Sequence, residues 1–111
     1  MLTSTPAMRV FVALQPVDLR KSFSGLSGLV QEVLRQDLLS GCLFVFTNRH
    51  RTRIKTLFWD GSGLWVCTKR LERGRFGWPA GTGVQAQLRA DQWHALVNGL
   101  EVRERAGWYR K

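Results

Sequence analysis

Hydrophobic and polar positions along the chain change period several times, and each change marks an element. Met8–Leu14 alternates, with Met8, Val10, Val12 and Leu14 on one side and Arg9, Phe11 and Ala13 on the other, the two-residue period of a strand. Gln15-Pro16-Val17-Asp18 ends it, because proline cannot join an interior ladder. Asp18 suits the cap of a short turn through Leu19, Arg20 and Lys21. From Ser22 or Ser24 to Gln36 the period lengthens: Leu26, Leu29, Val30, Val33 and Leu34 form one helical stripe. Gly25 and Gly28 interrupt that helix, and close packing on a sheet is the reason expected for them. Cys42–Thr47 is a continuous apolar run, which predicts a central strand. Asn48–Thr52 is a short basic turn.

Two β-type runs follow, Ile54–Trp59 and Leu64–Arg70, flanking Asp60-Gly61-Ser62-Gly63. An Asp-Gly pair between apolar runs is a hairpin signal, since both residues tolerate the positive φ of a tight turn. On the first run Ile54, Thr56 and Phe58 share one face and read as core. Arg53, Lys55, Leu57 and Trp59 share the other, which begins cationic, ends aromatic and suits a contact surface. Lys69–Pro79 is read as a continuation of the ribbon, with Phe76 and Trp78 on one side of it. Val84–Leu88 fits a short edge strand. Asp91–Asn98 fits a last helix with Trp93, Val97 and Leu100 aligned, ended by Gly99. The fold class expected is α+β: a small antiparallel β meander with the N-terminal helix packed on one face and a short C-terminal helix on the same side. Leu26, Val30, Val33, Ile54 and Phe58 are expected in one core. A single domain spans 8–100, preceded by a loose leader (1–7) and followed by a basic, aromatic tail (101–111).

Charge changes this picture from a fold to a surface. The 111 residues carry 17 basic and 8 acidic side chains, net +9, and 13 of the basic residues are arginine. Arg49, Arg51, Arg53, Lys55, Lys69, Arg70, Arg73 and Arg75 sit in or beside the hairpin, opposed by Asp60 and Glu72 alone. Eight charges less two leave +6 of the +9 in about a quarter of the chain. Such a cluster repels itself unless a polyanion meets it, nucleic acid before an anionic membrane. Trp59, Trp65 and Trp78 are interleaved with it and are the candidate rings for base stacking or partner contact. Taken singly, each ring reads more simply as core. Taken as a set, the charges favour a polyanion.

Catalytic chemistry has little to stand on. Asp18, Asp37, Asp60, Asp91, Glu32, Glu72, Glu101 and Glu104 are scattered over turns and polar helix faces, without the convergence a metal-dependent nuclease needs. His50 and His94 are far apart and lack a nucleophile partner, and no phosphate-binding glycine loop of the P-loop type occurs. No catalytic residue, metal site or cofactor is therefore expected. Cys42 and Cys67 lie in strands without metal-ligand spacing and read as reduced thiols. No apolar run approaches the roughly 20 residues that span a bilayer, so a cytoplasmic protein is expected.

Four ordered blocks carry a resemblance: PVDLRKSFSGL (16–26), GCLFVFTNR (41–49), RIKTLFWDGSGL (53–64) and KRLERGRFGWP (69–79). Together they resemble the TnpB, or Orf2-like, accessory proteins of bacterial insertion sequences of the IS-sixty-six type. Arg89, where the family tends to have a Ser or Thr cap, and Trp93, at an aliphatic position, depart from the pattern and leave the last helix's ends open. The resemblance implies a non-catalytic helper of transposition, partnered by a transposase and a second accessory protein, with DNA as the expected ligand. The residues leave two alternatives beside direct DNA binding: an adaptor that docks on the transposase through its aromatic side chains, and a single-stranded nucleic-acid binder.

Overall fold

One mixed sheet is built from β1 (Val10–Ala13), β2 (Leu43–Thr47), β3 (Arg53–Trp59), β4 (Leu64–Arg70) and β5 (Gln85–Leu88) in the computed structural model, which describes residues 9–99. Two helices complete it, α1 (Phe23–Glu32) and α2 (Ala90–Val97), with a single 3-10 turn at Leu38–Ser40. The leader (1–7) and the tail (101–111) lie outside the described residues.

The strand order is β4-β3-β2-β1-β5. β2, β3 and β4 form an antiparallel run, and β5 pairs antiparallel with β1. β1 and β2, however, are parallel, with Val10 beside Leu43 and Val12 beside Val45. The expected all-antiparallel meander is therefore corrected. A parallel pair needs a crossover, and the segment that carries α1 supplies it.

A second correction concerns the faces. α1 covers one face of the sheet, where Leu26, Val30 and Leu34 pack on Phe11, Phe44, Phe46 and Leu57. On the other face, α2 and the 71–79 segment cover Val10, Val12, Val45 and Ile54 with Leu96, Phe76 and Trp78. The two helices are not on one side. Ile54 and Phe58 accordingly belong to the α2 face, while Leu57, assigned to the contact surface, is fully buried under α1. Val33 lies outside the core at 45% exposure. β1 and β2 are buried at every position because both faces are covered. Each large apolar side chain so buried contributes about 1.5–3 kcal/mol.

α1 has no side-chain cap at Ser22 and two internal glycines, so packing rather than intrinsic propensity holds it. Those glycines do not press on the sheet: a Cβ at Gly28 would meet nothing, and one at Gly25 would meet the Lys21 side chain. Arg35 ends the helix in the left-handed region (φ 57°), with the Gln36 amide reaching back to the Val30 carbonyl.

The β3–β4 hairpin forms as its turn residues predict, with Gly61 at φ 103°. Lys69–Pro79, by contrast, does not continue the ribbon beyond Arg70. The chain turns beneath the sheet, where the Leu71 amide donates to the Thr52 carbonyl (2.9 Å) and the Phe76 amide to the Arg51 carbonyl (2.7 Å). Trp78 is 3% exposed and donates its indole N–H to the Ala13 carbonyl at 2.8 Å. It is a core residue, and its place among the stacking candidates is withdrawn.

Candidate nucleic-acid interface

Backbone pins and short polar side chains position the cations. Thr47, fully buried, donates its hydroxyl to the Arg53 carbonyl (2.9 Å), and its own carbonyl accepts from the Val17 amide (2.9 Å). The loop before α1 is thereby fixed against the start of β3. Asn48 organises the 48–53 turn by accepting from the Thr52 and Arg53 amides at 3.0 and 3.2 Å. Within this turn Arg51 takes a positive φ of 59°, a conformation an L-residue rarely adopts. Asp18 accepts from the Arg20 amide (3.0 Å) and holds the Arg20 guanidinium through Nε and Nη2. The guanidinium and this amide keep the Asp18 carboxyl well below the usual carboxylate range.

These pins create a groove of about 520 Å³ on the α1 face, lined by Asp18, Leu19, Arg20, Asn48, Arg53, Lys55 and Thr68. Register then sorts the eight sequence candidates. Arg53 stands directly opposite Arg70 on β4, and Lys55 opposite Thr68, so these side chains share the groove side of the sheet. Lys55 is half-buried and donates its ammonium to the Lys21 carbonyl at 2.9 Å. Lys69 is paired with Ile54 and so faces the other way, where its ammonium donates to the Val97 carbonyl at the end of α2 (2.6 Å). It leaves the set. Arg49, Arg73 and Arg75 are exposed and Arg51 half-buried; the hydrogen bonds that join residues 51–52 to 71 and 76 bring all four to the same end of the sheet.

Two arginines directly opposite on paired strands repel each other. Glu72 approaches Arg70 at 3.4 Å, but both side chains are largely exposed, and such a pair offsets little. The groove thus combines the Arg53 guanidinium, the Arg20 guanidinium held by Asp18, the Lys55 ammonium and Thr68, with Arg70 opposite Arg53 on the same side of the sheet. That set suits phosphate oxygens spaced along a backbone. Arg20, which lines the groove, and Lys21, whose carbonyl holds Lys55, lie outside the set expected from the sequence. Their signal lay in the first resemblance block, DLRK, but they are some thirty positions from the hairpin, and the parallel crossover that joins them has no local signature.

Of the candidate stacking tryptophans, Trp65 is 52% exposed, stacks on Phe58 with ring centroids 6.1 Å apart and lies on the α2 face. Trp59 is half-buried on the α1 face. The structure therefore does not gather them beside the groove cations. Among the described residues no group of three or more His, Cys, Asp or Glu is placed to hold a metal ion, and no helix is long and apolar enough to cross a membrane.

A family model described as IS66 Orf2 like protein matches residues 8–106. Two proteins of Sinorhizobium fredii strain NGR234, both described as uncharacterized, are similar along nearly their full lengths. The protein y4hO is 40% identical over 103 residues, covering 93% of this chain and 90% of its own. The protein y4jC is 36% identical over 101 residues, covering 91% and 86%. No solved structure matches the chain.

Proposed function

The chain belongs to the IS66 Orf2-like family, and from that premise we propose that it assists transposition by holding DNA along the Arg20–Arg53–Arg70 groove. The family implies an accessory role in transposition and is not known as a catalytic one. The finer reading is that the groove cations neutralise successive phosphates of one strand while the transposase does the chemistry. Arg53 and Lys55 are two positions apart on one face, about 7 Å, close to the phosphate repeat of an extended backbone. The observation that supports the reading is the placing of Arg53 directly opposite Arg70, at the edge of the groove that Arg20 and Lys55 line, with only the exposed Glu72 near Arg70. A fold gains nothing from that juxtaposition, whereas a polyanion reverses its sign. Binding of this kind positions DNA without reading its sequence.

The test is the joint substitution Arg20→Gln and Arg53→Gln, which removes both charges and keeps a polar side chain at each position. Fluorescence anisotropy with a terminal-repeat duplex should show affinity at low salt falling about ten-fold or more, equally for unrelated sequences. The melting temperature should change little, because the exposed Asp18–Arg20 pair that is lost and the Arg53–Arg70 repulsion that is relieved are both small and oppose each other. Unchanged affinity would remove the groove from the account and favour the adaptor reading.

A further inference from the structure

β4 is an edge strand seven residues long, and among the described residues no strand pairs with its outward ladder groups. The Asp60 amide donates to the Gly63 carbonyl and the Leu71 amide to the Thr52 carbonyl. Alternation between these two points assigns the β3-facing hydrogen bonds to Trp65, Cys67 and Lys69. Leu64, Val66, Thr68 and Arg70 therefore turn their N–H and C=O groups to the open edge. We propose that a second copy of this chain covers that edge, β4 pairing antiparallel with β4 about a two-fold axis at Cys67.

The strand is self-complementary in this register. Val66 meets Thr68 of the other copy and Leu64 meets Arg70, giving about eight ladder hydrogen bonds, while Cys67 meets Cys67 at a non-hydrogen-bonded position. Each cation at the C-terminal end, Lys69 and Arg70, faces an apolar residue, Trp65 or Leu64. A parallel pairing would set Lys69 and Arg70 against themselves. The charge pattern thus selects the antiparallel arrangement, and full overlap of the seven residues selects the register.

Side chains fit as well as ladders. Beside β4 on the α2 face lies an apolar groove of about 240 Å³, lined by Ile54, Phe58, Cys67, Lys69, Trp93 and Val97. In the two-fold register the exposed Trp65 ring of one copy stands opposite Lys69 of the other, at the mouth of that groove. The pairing removes from water the exposed ring and the mouth of the apolar groove together. Because the axis is perpendicular to the sheet, both copies present their α1 faces, and hence Arg53 and Arg70, on the same side.

Sedimentation equilibrium of the full chain at micromolar concentration should give a dimer. In a Cys42→Ser background, mild oxidation with diamide should link the chains through Cys67, since antiparallel neighbours at such a position lie within disulfide reach. Thr68→Pro removes an outward N–H that β3 does not use, and proline is tolerated at such edge positions. That variant should keep its circular dichroism spectrum, sediment as a monomer and lose the cross-link. A monomeric wild type overturns the proposal, and so does a dimer whose Cys67 thiols stay unlinked or that survives Thr68→Pro. Should Thr68→Pro fail to fold, the wild-type sedimentation and the cross-link decide alone. Dimerisation and DNA binding are measured separately, so either proposal can fail without the other.

Discussion

Asp60 accepts from the Ser62 amide (2.9 Å), the Ser62 hydroxyl (3.2 Å), the Gly63 amide (2.9 Å) and the Trp65 indole (2.7 Å). Four donors on one exposed carboxylate favour its charged form and hold its pKa well below the ordinary range, the Trp65 indole foremost. A group depressed in this way stabilises the fold above its unfolded pKa of about 3.9 and loses that contribution as pH falls through the folded value. Asp60→Asn should therefore melt below wild type at neutral pH, with the gap narrowing only below about pH 4. Melting curves across that range check it, and a gap constant down to pH 2 would contradict the linkage. Lys55 behaves differently from Arg53, although both are cations on one face. Its ammonium is bonded to the Lys21 carbonyl and fastens the loop to β3, so its removal would touch the groove's shape as well as its charge.

At the scale of elements, the hairpin was legible because its signal is local: Asp60 and Gly61 sit between two short apolar runs, and nothing distant is needed to read them. The helix stripe gave Leu26, Val30 and Leu34 for the same reason. β3 was half legible. Its alternation assigned Ile54 to the core but left Leu57 to solvent, because a strand with both faces covered buries both halves of the pattern. The sign of two-sided burial was present in the continuous apolar run of Cys42–Thr47, yet a neighbouring strand's environment cannot be read from its own sequence. The parallel β1–β2 pairing, and with it the second helix's place on the far face, depends on a crossover that no residue between Gln15 and Gly41 announces. Lys69 bears the consequence: counted with the basic ribbon by position, it is turned by register to the end of α2. Lys69→Met should lower stability by about 0.3–1 kcal/mol, the usual worth of a cation at a helix C-terminus. It should leave DNA affinity unchanged. Chemical denaturation and anisotropy on the same variant check both halves.

Taken whole, the molecule separates its cationic groove on the α1 face from an apolar groove and an exposed tryptophan on the α2 face, with an open strand edge between them. Of eight cations expected to act as one ribbon, Arg53 and Arg70 share the groove side with Lys55, four others gather at the same end of the sheet, and Lys69 lies on the opposite face. Arg20 joins them from outside the hairpin. The central claim, that these groove charges meet phosphate, makes a quantitative demand on salt. Each phosphate contact contributes about 0.9 to the slope of log affinity against log salt on duplex DNA. The decisive measurement is that slope for wild type, for Arg20→Gln with Arg53→Gln, and for Lys69→Met as the cation on the opposite face. The slope should fall by about 1.8 for the groove pair and stay unchanged for Lys69→Met; equal slopes for all three proteins would show that the groove does not hold phosphate.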